Sequence, residues 1–330
     1  MLPYTSRGLP GVKGRVALAD CTCEEVLRHQ PAQTGDHWWV KAVKTNLGTG
    51  QARDAIARSV NVDPELVACA GRRDRQGHCT QWFSLPAAAV DHPGPLRRAG
   101  CHGKLRVLEL TASHKPVTPA LVARLRWSAR LHDAAQEDGY RKARQVLDAL
   151  RLGGCPNYVA PSRLGESGNL AKWGRLLLQG RHLPPAVLST GISKARCLRA
   201  CQEWLFNRYL ARRVEDGLLA TCLPGDVMLT SLGTQETVSD PAHAQRRMDS
   251  WEAVPLGPLF GADLPPAAEA DLTEEQLGCL RGSRRAIRFQ PTKALIDIDG
   301  ADLILTCELP TDASIAVLLE EFVKPEQHLA

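Results

Sequence analysis

Strand-period and helix-period runs follow one another along this 330-residue chain without regular alternation, and that order restricts the folds open to it. Residues 37–44 (HWWVKAVK) alternate as a strand, while 51–60 place Ala52, Ala55, Ile56 and Val60 on one helical face. Residues 65–71 (ELVACAG) form a short apolar run ending in Gly, and 80–86 (TQWFSLP) read as a strand that stops at Pro86. Further strands are expected at the end of 92–110, at the end of 223–230 and over 302–310. Helices are expected over 139–151, 193–217, 274–289 with a glycine break, and 314–324 capped by Ser314. Residues 253–270 read as a loose loop, and 153–169 as a Gly/Pro/Asn/Ser connector that marks a candidate domain boundary. Residues 117–132 are ambiguous: propensity prefers a helix, yet RLRWSARLH alternates basic with apolar residues. Such a mixture points to an α+β fold rather than a doubly wound sheet.

At 44% hydrophobic the chain can bury a full core, in one large domain or two ordinary ones. No stretch approaches 18 apolar residues, so no transmembrane helix is expected. The first residues lack a charged segment followed by an apolar run, so no signal peptide is expected either. Eleven scattered cysteines fit reduced thiols in the cytoplasm. The net charge of +5 is uneven: residues 1–145 hold 22 Lys/Arg against 13 Asp/Glu, and 146–330 hold 19 against 23. The basic first half suggests a polyanionic partner, with ordinary solvated surface as the alternative.

Residues 70–84, AGRRDRQGHCTQWFS, set one carboxylate, Asp74, among Arg72, Arg73 and Arg75 on a connector between two expected strands. Two readings stand. Asp74 is a surface charge partner, or it is a reactive group that neighbouring guanidinium groups keep ionised beside an anionic substrate. Other chemistries find little support. Cys21 and Cys23 form C-x-C with no second pair at zinc spacing, so no metal site is expected. LGTGQ at 47–51 is an incomplete nucleotide loop, and no nucleophile elbow is present.

The same stretch resembles the motif aGxKDxxaxTxQ of the TruD family of transfer-RNA pseudouridine synthases, with Gly71, Asp74 and Gln81 in register. The resemblance runs over nearly the whole chain. ADCTCEEVL at 19–27 resembles the family's eDFxVxEx segment and keeps Asp20 and Glu25. GCPNYVAPSRLG at 154–165 resembles GxPNYFGxQRFG and keeps Pro156, Asn157, Tyr158, Arg163 and Gly165. LFNRYLARRV and LPTDASIAVLLEEF resemble two later family segments. There are departures. The family's Phe after the Asp falls at Cys21, QRF becomes Ser162-Arg163-Leu164, and the GNxF strand falls at 124–127, so Leu125 replaces Asn and Trp127 replaces Phe.

The resemblance implies a pseudouridine-synthase-type α+β catalytic domain (1–153 and 289–330), interrupted by an insertion domain (154–288). It implies a V shape with RNA in a central cleft, and a strand over 124–132. It implies isomerisation of uridine 13 of transfer RNA by Asp74 as nucleophile, without cofactor or metal, by a monomer. Arg15, with Lys13 as second choice, becomes the basic partner of Asp74. Cys21, Leu125 and Trp127 become uridine-pocket positions, Trp127 as the stacking platform. Arg72, Arg73, Arg75 and Arg163 become RNA contacts, and Glu25, Gln81 and Asn157 supporting residues. The pocket substitutions admit a second reading, a TruD-like RNA-binding or RNA-folding protein without turnover.

Overall fold

In the computed structural model the described residues are 2–264 and 280–324. In chain order the first elements are strands β1 (Arg15–Val16), β2 (Thr22–Leu27) and β3 (His37–Thr45), helix α1 (Thr49–Ser59), and strands β4 (Ala68–Cys69), β5 (His78–Pro86), β6 (Leu105–Ser113) and β7 (Val122–His132). Then come α2 (Gly139–Gly153), β8 (Cys155–Pro156), α3 (Pro161–Leu164), α4 (Asn169–Leu178), α5 (Pro185–Leu188) and α6 (Lys194–Glu215). The remainder is β9 (Val227–Thr230), β10 (Gln235–Thr237), α7 (Pro241–Asp249), β11 (Ala253–Leu259), β12 (Ser283–Ala286), β13 (Arg288–Phe289), β14 (Thr292–Asp299), β15 (Asp302–Leu309) and α8 (Ile315–Val323).

The chain divides into two compact units, one of residues 12–141 and 292–312, the other of 1–11, 142–291 and 313–330. The sequence reading drew its boundaries at 153/154 and 288/289 and kept the last helix with the catalytic part. In the structure α8 falls in the second unit, where the Glu321 carboxylate accepts from the Thr5 and Ser6 backbone N–H groups at 2.9 and 3.0 Å. Ser314 stands at the N-cap of α8, but its hydroxyl makes no capping bond.

The first unit is one mixed sheet in the order β14-β15-β7-β2-β5-β3-β6, with β1 beside β7 and β4 beside β5. β2 and β5 run parallel, and the other described pairs of this sheet are antiparallel. One face carries Val40, Ala42, Phe83 and Leu85, and α1 lays Ala52, Ala55, Ile56 and Ala57 on it. Phe83, Leu85 and Ile56 are fully covered, and burial of each side chain contributes about 1.5–3 kcal/mol. The opposite face carries a ladder of alternating charge, Lys41–Glu24–Arg126–Glu308–Lys293, across five strands.

β7 corrects the helix that propensity preferred over 117–132. Leu125, Trp127, Ala129 and Leu131 all point into the covered face, and β2 and β15 pair with it on both edges. Period-2 burial between two partners outweighs intrinsic preference.

In the second unit α4 packs on α6 with helix-to-helix contact so close at Gly174 that a Cβ would lie 2.1 Å from the Cys197 carbonyl oxygen. A four-stranded sheet, β10-β9-β11-β12, accompanies the helices, and β13 pairs with β8. Two expectations are corrected here. Residues 253–259 are a strand, not loop; Pro255 and Pro258 hid it, yet β11 pairs with β9 and β12 in register. Residues 283–286 and 288–289 are strands, not helix. Residues 265–270 and 274–279 of these segments lie outside the described residues.

Candidate active site

The Asp74 loop, 70–77, joins β4 to β5, two strands paired through Ala68↔Ser84 and Cys69↔Phe83. Both of its glycines have a backbone that L side chains rarely adopt, Gly71 at φ +111° and Gly77 at φ +82°. Gly77 also lies against other main chain: a Cβ there would sit 2.5 Å from the Cys21 carbonyl oxygen and 2.7 Å from that of Leu18. A buried relay fixes the loop from below. The Arg73 backbone N–H donates to Thr49 Oγ1 at 3.1 Å, Thr49 Oγ1 donates to Gln81 Oε1 at 3.1 Å, and Gln81 Nε2 donates to the Gly71 carbonyl at 2.8 Å. Gln81, expected as a supporting residue, is therefore a direct tie on the loop.

The three arginines divide. Arg72 and Arg75 are exposed, as is Asp74. Arg73 turns inward, with its side chain only 6% exposed, and donates from Nε to Glu25 Oε1 at 2.8 Å. The other Glu25 oxygen accepts from the Trp82 backbone N–H at 2.8 Å. Burial pushes the Glu25 carboxyl above the usual carboxylate range, against the pull of Arg73. This corrects the expectation for Arg73. Its guanidinium is committed to a buried acid and clamps the loop to β2, so it does not face a phosphate.

The cation in contact with Asp74 is Lys44, which meets its main chain; Arg15 was the expected partner. Lys44, at the end of β3, is 1% exposed, and its ammonium donates to the Asp74 backbone carbonyl. Burial pulls its pKa below the ordinary lysine range, opposed by Cys79, Cys23 and Asp74 nearby. Arg15 is exposed on β1, opposite His132 at the C-terminal end of β7, and none of the described contacts joins it to Asp74. Lys13 pairs with Glu137 at 2.6 Å. Among the described residues the Asp74 carboxylate forms no ion pair, so the surface-partner reading finds no partner in Arg72, Arg73 or Arg75. What remains is an exposed carboxylate on a pinned loop with a buried ammonium beneath its main chain. Such an exposed carboxylate, on a loop whose main chain is fixed, has the chemistry of a nucleophile or a base available to a bound substrate.

Cys21 falls beside this loop: its carbonyl accepts from the His78 N–H at 2.9 Å. Burial first, then the charges of Asp20 and Asp74, push its thiol up to about 11. Leu125 is buried opposite Glu25 on β2 and Leu309 on β15. Trp127 is buried opposite Cys23 and Cys307, 5% exposed. A ring so covered offers no open face, which corrects its expected role as a platform. Asn157 and Arg163 lie in the second unit. Asn157 donates to the Ala286 carbonyl at 3.0 Å and accepts from Arg285 at 2.7 Å, tying β8 to the β12–β13 segment.

The sequence reading gave no site role to Lys44 or Thr49. The signal for Lys44 was present: it stands in phase with Val40 and Ala42, the inward positions of β3, and a lysine in phase with a buried row is itself buried. Thr49 gave no signal, since its role depends on where the loop returns over α1.

The chain matches the family model for tRNA pseudouridine synthase D (TruD) over residues 3–187. It is 32% identical over 349 residues to the tRNA pseudouridine synthase D of Anaeromyxobacter dehalogenans (strain 2CP-1), covering 99% of this chain and 98% of that protein. With a protein of the same description from Thermus thermophilus it shares 28% over 342 residues, covering 98% and 92%. A solved structure from Methanosarcina mazei, assigned as a tRNA pseudouridine synthase D, superposes with a TM-score of 0.74 at 16% identity, covering 98% of this chain and 96% of that one. That last likeness is one of fold.

Proposed function

The chain belongs to the tRNA pseudouridine synthase D family, and from that premise we propose that it isomerises a uridine of transfer RNA, at position 13, to pseudouridine, with Asp74 as the nucleophile. The observation that carries the assignment is the exposed Asp74 carboxylate on a loop pinned by Gln81, Thr49, Arg73 and Lys44. The reaction breaks the C1′–N1 bond, turns the uracil and joins C1′ to C5. The C5 proton is lost and N1 gains one, so substrate and product are isomers and the balance needs no co-reactant or cofactor. Asp74 serves at the sugar, and a loop whose main chain is already fixed spares the cost of placing it during each turnover. The uridine leaves its stack to reach the loop, at a cost of a few kcal/mol. Arg72 and Arg75, exposed on either side of Asp74, take backbone phosphates that repay part of that cost.

Leu125 favours a second reading, a silent RNA-binding scaffold. It is apolar and buried where the resembling family carries Asn, and it cannot hydrogen-bond a uracil edge. Carbodiimide labelling and primer extension on unmodified transfer RNA, with wild type and Asp74→Asn, separate the two. Pseudouridine with wild type alone supports the isomerase. RNA binding without product in either protein supports the scaffold.

A further inference from the structure

Two ion-pair arrangements on α6 differ in form. Arg213 meets Asp226 with both guanidinium ends, at 2.8 and 2.6 Å, and both side chains are nearly covered, at 6% and 11% exposed. That is a closed, one-to-one structural pair. Ten residues earlier on the same helix, Glu203 is as well covered, its side chain 4% exposed, but it holds two arginines. Arg163, from α3, donates Nη2 at 2.6 Å, and Arg199, one turn before it, donates Nε at 3.1 Å, both to the same oxygen, Oε1. The side chains of Arg163 and Arg199 remain 53% and 50% exposed.

A guanidinium has five N–H donors, and in the described contacts each of these spends one on Glu203. The covered side of the cluster is thus anionic and the exposed side cationic, with two forks held together that would otherwise repel. The surroundings carry the same sign. α4, packed against α3 and α6, holds Lys172 and Arg175 and no acid, and the first turn of α6 holds Lys194 and an exposed Arg196 one turn before Arg199. A basic field with preset forks collects a polyanion.

We propose that Arg163 and Arg199, clipped by the buried Glu203 carboxylate, form a phosphodiester-binding site for the RNA backbone, with Glu203 as its positioning residue. The site rests on the RNA-modifying reading above for its occupant. Neither Arg199 nor Glu203 stood out in the sequence.

The test measures affinity for unmodified transfer RNA over a potassium chloride series, alongside thermal melting and steady-state kinetics. The triple variant Arg163→Gln/Arg199→Gln/Glu203→Gln removes all three charges and leaves no buried acid unpaired. Its expected affinity is about tenfold weaker, with the slope of log K against log salt shallower by about one, and the loss falls on KM more than on kcat. Glu203→Gln alone adds one unit of positive charge. Bulk electrostatics would make it bind more tightly; loss of the clip makes it bind more weakly. A triple variant with wild-type affinity and slope, or tighter binding by Glu203→Gln, overturns the proposal. Should either variant lose the wild-type melting transition, Arg199→Gln, which leaves the Arg163–Glu203 pair, decides by the same slope: shallower supports the site, unchanged overturns it. If wild type forms no pseudouridine while these binding effects appear, the reaction assigned above fails and the phosphodiester site stands.

Discussion

Lys44 is the residue whose removal separates loop position from fold stability. Its ammonium gains a charged hydrogen bond to the Asp74 carbonyl, worth about 1.5–3 kcal/mol. Burying an ammonium costs several kcal/mol, on the order of what that bond returns. Lys44→Met is therefore expected to leave the melting temperature nearly unchanged. It frees the loop from beneath, and a misplacement on the order of 1 Å costs roughly a hundredfold in kcat. Wild-type kcat in Lys44→Met would remove Lys44 from the account. Glu25 gives a pH signature. Burial raises its folded pKa, so the folded state holds the proton more tightly than the unfolded chain does. Stability then falls as pH rises from about 4.3 through the folded pKa. Urea unfolding at several pH values should show wild type losing ground to Glu25→Gln as pH rises; the reverse slope would mean that Arg73 dominates. At this scale the loop was legible and the directions of its side chains less so. Asp74 announced itself by its motif and its flanking arginines. The inward turn of Arg73 did not, because a loop has no period from which to read side-chain direction.

Among the elements, the loop between β4 and β5 is most sensitive at Gly77. Its φ of +82° disfavours any side chain, and a Cβ would meet two carbonyl oxygens of the segment before β2, at 2.5 and 2.7 Å. Gly77→Ala should cost about 2–4 kcal/mol of stability and lower turnover by shifting Asp74. Denaturant melts and kcat together check this, and an unperturbed variant would contradict the rigid-loop account. Regular elements such as β3 and α1 were readable from period alone. β7 was not, because a strand held between two partners can carry helix-favouring residues. β11 was hidden by its prolines, and β12 by arginines that suit an exposed strand as well as a helix.

For the whole molecule, charge was read too coarsely. Splitting the chain into halves gave the second half a net negative count, which masked the block of ten basic residues over 161–213. The α+β class was legible from the order of runs, while strand order was not, since β14 and β15 join the sheet across a long insertion. The central claim joins the family to one carboxylate, and one measurement tests both. Unmodified transfer RNA is incubated with wild type or Asp74→Asn, and pseudouridine at position 13 and RNA affinity are measured on the same preparations. The account predicts near-complete conversion by wild type, none by Asp74→Asn, and RNA affinity within about threefold between them, because the carboxylate itself holds no phosphate. Conversion by Asp74→Asn at the wild-type rate would contradict it.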